Sequence, residues 1–173
     1  MLKVQVAKDT FYGALRDRIA AGNPARTVVV RGVVRPAVLV IENEFPAAAV
    51  DGIPMAEVFC LRWTELAIDR QSAGAMVRLG CEIGYASDGS AGTAGLDRGR
   101  ALAAMDAELA TALTTMPMHA SAEVFAEIAG GGASTATATG THVFWGEAVF
   151  APGGMRGERM ERTAQVEVFG YGE

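Results

Sequence analysis

The sequence predicts an α+β domain in which a mostly antiparallel sheet carries two main helices packed on one face. Several runs rich in β-branched and aromatic residues alternate between apolar and polar positions, which is the periodicity of half-buried strands. In two other segments, near residues 9–20 and 97–114, apolar residues recur every three or four positions, as on one face of a helix. Runs of strands interrupted by only two helices are typical of α+β folds.

The size and charge of the chain narrow its function class. Its 173 residues, half of them hydrophobic, suit a single domain over residues 1–173. A net charge of −5 with scattered Lys and Arg argues against a protein that grips nucleic-acid phosphates. We expect no membrane segment, because no apolar run approaches the roughly 20 residues of a spanning helix. The N-terminus lacks the apolar stretch of a signal peptide, so synthesis in the cytoplasm is expected.

The first helix is predicted to begin at Asp9 or Thr10, whose side chains can cap it, and to stop at the sequence AGNP. Residues 16–18 are assigned to its solvent side, because its apolar stripe lies elsewhere. That stripe consists of Phe11, Leu15 and Ile19. Two strand-like runs follow, RTVVVRG at 26–32 and RPAVLVIENEFP at 35–46, and a proline limits the second to an edge or an end of the sheet.

A long hairpin is predicted in the middle of the chain. Strands at 56–68 and 75–87 flank the turn sequence DRQSAG, so we expect the pair to be antiparallel. In the second strand, apolar residues alternate with polar or small ones, which places one face against the core. The core-facing residues are Val77, Leu79, Cys81, Ile83 and Tyr85.

The second main helix is predicted over 97–114, with Asp97 as its N-cap. Its apolar face consists of Leu102, Met105, Leu109 and Leu113. The pattern of residues 119–128 is compatible with either one helical turn or a short strand. Further strands are predicted at 142–151 and 162–172, with PGGMRGER as a turn between them.

Two segments are expected to be flexible loops, at about 87–96 and 129–141. The second is unusual because the chain from Gly130 to Thr141 contains only Gly, Ala, Ser and Thr, which bury little surface. Long loops inside a compact domain are usually functional, so we expect these loops to order against an assembly partner. The candidate assembly-interface residues are Arg98, Arg100, Gly131, Thr135 and Thr139. For the two arginines, at a helix start, an anion site and plain solvent exposure remain open.

The sequence contains no recognised catalytic motif. It has no P-loop, no GxGxxG after a strand and no GxSxG nucleophile elbow. His119 and His142 are too few and too far apart in sequence for a typical zinc site, so each is expected to be structural or solvated. We therefore predict no catalytic residue, no metal ligand and no cofactor, and the protein is not expected to be an enzyme.

Other polar and aromatic residues favour structural roles. Cys60 and Cys81 are expected to be two buried free thiols, although a bridge between paired strands remains open. An acidic cluster is expected to be a solvated strand end, with a metal or general-acid role as the alternative. It consists of Glu42, Glu44 and Asp51. Trp63 and Trp145 are expected to pack in the core or at an assembly contact.

The order of these elements resembles the phage tail terminator proteins, also called tail completion or tail-to-head joining proteins. The stretches that carry the resemblance are DTFYGALRDRIAAG, RPAVLVIENEFPAAAVDG, VRLGCEIGYAS with the later helix LDRGRALAAMDAELATAL, and ERTAQVEVFGYGE. The resemblance covers about Lys8 to Glu173. The segments HASAEVFAEIAG and 130–141 are less typical of the family.

The resemblance implies a structural virion protein, encoded by a phage or prophage, that acts in virion assembly. Such a protein caps the tail tube as a hexameric ring oligomer and performs head-tail joining. Its partners would be further copies of itself, the tail tube protein and the head-tail connector, and DNA would cross the ring without specific binding. The family has no catalytic residues to carry over. The protein would be made in the host cytoplasm and end in the tail or neck of the virion.

Three alternatives remain open. One is a head-side neck or adaptor protein of a phage, and another is a bacterial scaffold or accessory protein. The third is a small-molecule-binding or enzymatic α+β domain, which a buried acidic pair of Glu42 and Glu82 beside a deep apolar pocket would favour. The host, the tail type and the oligomeric state of the isolated chain are not predicted.

Overall fold

A computed structural model describes residues 4–44, 55–70, 74–126 and 135–171. Within these ranges the chain forms three α-helices and ten β-strands. In chain order they are α1 (Val4–Gly22), β1 (Thr27–Val30), β2 (Val33–Pro36), β3 (Val38–Val40), α2 (Ile41–Glu44), β4 (Phe59–Asp69), β5 (Met76–Ser87), α3 (Arg98–Thr114), β6 (His119–Ala126), β7 (Thr135–Trp145), β8 (Val149–Phe150), β9 (Gly154–Arg156) and β10 (Arg159–Tyr171).

One sheet organises the described part of the chain. Eight strands belong to it, in the order β3-β4-β5-β10-β7-β6, with β8 and β9 also paired to β10. The β3–β4 pair is parallel, and the other described pairs are antiparallel. β1 and β2 form a separate antiparallel hairpin that continues into β3 at one edge of the sheet. The predicted hairpin of β4 and β5 is confirmed.

The main core lies between one face of the sheet and the two long helices, α1 and α3. The predicted helix stripes and the predicted core face of β5 are all buried there. Each fully buried Leu, Ile or Phe side chain contributes about 1.5–3 kcal/mol relative to exposure. Trp63 and Trp145 contact Phe11 edge-to-face, with ring centroids 6.0 and 5.5 Å apart, so their core role is confirmed. The predicted α+β class, with two main helices on one face, is confirmed.

The first helix differs from its prediction at its start and on its outer side. It begins at Val4, so Thr10 is a buried residue in its middle, and Thr10 Oγ1 accepts a hydrogen bond from the Glu123 backbone N–H. Arg18, assigned to solvent, instead reaches the end of α3. Its guanidinium donates to the carbonyls of Ala112, Thr115 and Pro117. The correction has a physical reason, because the last carbonyls of a helix lack internal partners and attract cations.

A second, smaller core lies on the opposite face of the sheet. There the β1–β2 hairpin covers the start of β3 and β4, and the buried residues are Ala37, Leu39, Val58 and Cys60. Cys81 lies in the main core, so the two thiols occupy opposite sides of the sheet. Both cysteines are free and buried, as predicted, and burial raises the pKa of each thiol.

Several predicted strand boundaries are wrong. The run 35–46 does not form one strand, because β2 and β3 are followed by the short helix α2. The run 142–151 is divided between β7 and β8. The ambiguous segment after residue 118 is strand β6, and part of the predicted turn PGGMRGER forms β9.

The predicted loop at 129–141 is wrong over residues 135–141, which belong to β7, while 129–134 lie outside the described residues. Alternating Thr and Ala suit a strand once β6 supplies its backbone partners. The connection at 87–96 is present, and Asp97 follows it at the N-cap position. Its carboxylate accepts hydrogen bonds from the Ser90 N–H and the Thr93 hydroxyl, and makes no cap bond to the helix.

Among the helices in the described ranges, none combines the length and the hydrophobicity that a membrane-spanning segment requires.

Candidate assembly surfaces

The two arginines predicted at an interface have different environments. Arg98 Nε donates to the Gly95 carbonyl at 2.7 Å, and its Nη1 donates to the Glu158 carbonyl. Arg98 therefore joins the loop before α3 to the start of β10, and its role is internal. Arg100, two residues further along α3, is exposed and remains available to a partner.

The three interface candidates from the small-residue run fall on or near β7. Gly131 lies outside the described residues. Thr135 opens β7 and is paired in register with Ala126. Thr139 is half-buried, and its hydroxyl donates to the Ala122 carbonyl at 3.2 Å. The structure thus places Thr139 inside the hairpin of β6 and β7, where it supports the hairpin rather than facing outward.

A hairpin that protrudes from the β3 edge of the sheet was not predicted as an interface. This valine hairpin, Thr27–Pro36, turns at Arg31 and Gly32, which have φ values of 49° and 80°. Positive φ at both central positions is the requirement of a type I′ turn, whose twist matches that of the strands. Three valines on it are 61–66% exposed, and they are Val29, Val33 and Val34.

The base of the valine hairpin is fixed while its tip is not covered by described residues. Val28 and Val30 pack on the second core. Arg35 Nη2 donates to the Tyr12 hydroxyl at 2.9 Å, and that hydroxyl donates to the Val38 carbonyl. The sequence signal for this feature was present, since apolar runs flank the two-residue turn RG. The sequence analysis assigns residues 26–32 and 35–46 to two separate strands and does not predict that they pair.

An aromatic patch lies near the other edge of the sheet, on the face away from the helices. It consists of His119, His142, Phe144, Phe169 and Tyr171. Strand register creates it, because Phe169 pairs with Phe144 and Phe144 pairs with His119 across three strands. The exposed fraction is 38% for Phe144 and 51% for Tyr171. An exposed apolar patch of this kind is a candidate contact surface.

The two histidines, which lie far apart in the sequence, are neighbours in the fold. Their ring centroids are 4.9 Å apart, and His119 lies 5.2 Å from the ring of Phe144. Residues 23 positions apart meet here because β6 and β7 are neighbours, which residue spacing alone does not reveal. Within the described ranges, no group of three His, Cys, Asp or Glu side chains comes together as a metal site.

Glu42 and Glu82 do not form the buried acidic pair that would favour an enzyme. Glu42 Oε1 lies 3.2 Å from Lys8 Nζ, whereas Glu82 binds Arg62 and Gln165 on the outer face of the sheet. Asp51 of the predicted acidic cluster lies outside the described residues. A cavity beside Ala7 and His142 has a volume of about 20 Å³, enough for a water molecule but not for a substrate.

Comparison with known proteins adds no family to these observations. No protein-family model matches the chain, and no curated protein matches it in sequence. A function must therefore be inferred from the fold and surfaces of the molecule itself.

Proposed function

We propose that this protein is a structural virion subunit of a phage, a tail terminator that closes the tail tube as a ring and joins the tail to the head. The observation that carries the proposal is the presence of two unlike surfaces near opposite edges of one sheet. The valine hairpin continues into β3 at one edge, and the aromatic patch lies across β10, β7 and β6 toward the other.

Unlike surfaces on opposite sides of a subunit suit head-to-tail association. A self-complementary surface gives a two-fold dimer. Two different surfaces instead repeat from copy to copy, and they close a ring when the rotation between neighbouring copies is a whole fraction of a full turn. The sheet and its two helices form a rigid body between the surfaces, because the core is continuous from α1 to β10. Such a subunit transmits a fixed angle from one copy to the next, as ring closure requires.

The charge of the chain is compatible with DNA passing through such a ring. A net charge of −5 gives phosphates no general attraction, so a DNA strand would cross the lumen without being held. The tail tube protein and the head-tail connector would contact the two rims of the ring. Arg100 is exposed and is the described candidate for one of these contacts.

Deletion of the gene from the phage or prophage that encodes the chain tests this function. After induction, electron microscopy should show filled heads separated from tails whose tubes lack a normal end. Supplying the wild-type chain from a plasmid should restore joined virions. Intact virions without the chain would contradict the proposal. Tails with finished ends beside heads that have lost DNA would instead identify a head-side neck protein.

A further inference from the structure

We propose that the valine hairpin of one copy docks on the aromatic patch of the next copy, and that this contact builds the ring. The inference deepens the proposed function and rests on it for the closed ring. The contact itself is argued from the apolar, exposed and charged residues of the two surfaces. The partner is therefore a second copy of this chain.

The valine hairpin has the shape and composition of an inserted element. Val29 and Val34 are paired across the two strands, so they form one continuous apolar face. Val33 pairs with Val30 beside the turn and lies on the opposite face of the hairpin, so a partner that encloses the tip covers it as well. All three are 61–66% exposed and lie together on one hairpin, so a partner that covers them removes apolar surface from water.

The aromatic patch offers a matching surface of different chemistry. Its rings lie side by side, with the Phe144 and Tyr171 centroids 6.1 Å apart, and they are held by three neighbouring strands. Exposed aromatic side chains on rigid strands lose little conformational entropy on binding, and they dominate the energy of many interfaces. β-Branched side chains such as valine pack well against aromatic rings.

Charge is also complementary between the two surfaces. The valine hairpin contains no acidic residue, and Arg31 is exposed at its tip. Two carboxylates flank the patch, Glu167 on β10 and Glu123 on β6. One cation, Arg78, pairs in register with Phe169 and lies 3.7 Å from Glu167, so acidic groups outnumber basic ones here. An arginine at the tip would therefore approach a surface with excess negative charge, which favours this orientation and speeds association.

Pairing by introduced cysteines tests the contact directly. The native thiols are buried, so single variants Val33→Cys and Tyr171→Cys each add one accessible thiol. Under mild oxidation, an equal mixture of the two variants should form disulfide-linked dimers. Each variant alone should form far fewer, because a head-to-tail contact keeps two copies of residue 33 apart.

The outcomes separate this contact from the proposed function. Equal linkage in Val33→Cys alone would show hairpin-to-hairpin pairing and overturn the contact. Rings in electron micrographs without linkage in the mixture would overturn the contact while leaving the function in place. Disulfide linkage in the mixture of variants, combined with normal virions after gene deletion, would support the contact and overturn the proposed function.

A matched pair of substitutions measures its strength. Val33→Ser should weaken self-association by about tenfold, since an apolar side chain at the contact is replaced by a polar one. Val149→Ser changes an equally exposed valine, 69% accessible, on β8 outside both surfaces, and should leave association unchanged. Sedimentation across a concentration series reports both. Equal weakening by the two variants, or none by Val33→Ser, would overturn the contact.

Discussion

One end of the molecule, here called the polar end, differs from the valine hairpin and the aromatic patch in the side chains that it places near solvent. At the polar end, residues 88–98 and 158–162, charged side chains are bound internally, as in the Asp88–Arg159 pair at 2.7 Å. Leu96 is the large apolar side chain that the polar end exposes, whereas the valine hairpin and the aromatic patch each expose several neighbouring apolar groups. The difference indicates a division of roles, in which the polar end maintains the shape of the subunit and the other two surfaces remain free to bind.

A contact of three side chains near the polar end joins β5, α3 and β10. The Tyr85 hydroxyl donates to Asp106 Oδ1 at 2.5 Å, and Arg162 Nε lies 2.8 Å from the same oxygen. The Arg162 N–H is not well directed for a hydrogen bond, so that contact acts mainly through charge. Burial, and then the hydrogen bond to Asp106, raise the pKa of Tyr85, which keeps its hydroxyl protonated as a donor.

Removal of this carboxylate should have the largest effect on the polar end. We expect Asp106→Ala to lower the free energy of unfolding by about 2–3 kcal/mol, because the buried Tyr85 hydroxyl loses its acceptor and Arg162 loses its partner. Chemical denaturation measures the loss, and Asp106→Asn should lose less because its amide oxygen still accepts from Tyr85. Self-association of the folded fraction should not change, and a change would contradict the division of roles.

The attachment of the β6–β7 hairpin to the body gives the next effect. Thr10→Val keeps the shape of the side chain but removes the acceptor of the Glu123 N–H, so we expect a loss of about 1 kcal/mol in unfolding free energy. Thr10→Ser retains the hydroxyl and is the matched control. Hydrogen exchange at the Glu123 amide should accelerate in Thr10→Val but not in the control. Equal exchange in both variants would show that this bond does not hold the hairpin.

The smallest effect should be a pH dependence from the loop before α3. Hydrogen bonds from Thr93 and then from the Ser90 backbone lower the pKa of Asp97 from 3.8 to about 2. The stabilisation is complete above pH 3.8 and is lost as the pH falls towards 2, because the folded state resists protonation of this carboxylate. Asp97→Asn should therefore lose less stability than wild type between these pH values. Parallel denaturation curves for both proteins across that range would contradict the assignment.

Features that depend on local periodicity could be predicted from the sequence. The alternation from Val77 to Tyr85 and the helical stripe from Leu102 to Leu113 each follow from neighbours within a few residues. The small-residue strand at 135–141 could not, because Ala, Gly and Thr carry little hydrophobic signal and strand formation there depends on pairing with β6. Propensity is a weak guide where tertiary pairing decides.

The candidate surfaces were predicted less well because they arise from contacts between distant residues. The meeting of His119 with His142 depends on strand register, and the role of Arg98 depends on the Glu158 carbonyl 60 residues away. Composition pointed to the small-residue run, whereas exposure in the folded chain points to the valine hairpin. Which valines are exposed can be determined only from the folded structure, because the sequence does not show which of them the core buries.

In the proposed assembly, unlike surfaces on one sheet join copies of this chain head to tail into a closed ring. Light scattering over a concentration series, with negative-stain imaging of the largest species, tests it most directly. We expect a species with the mass of a hexamer of the 18.0 kDa chain, seen as a ring with a central hole. A closed dimer that grows no further as the concentration rises would contradict it, because a dimer of that kind requires a self-complementary surface.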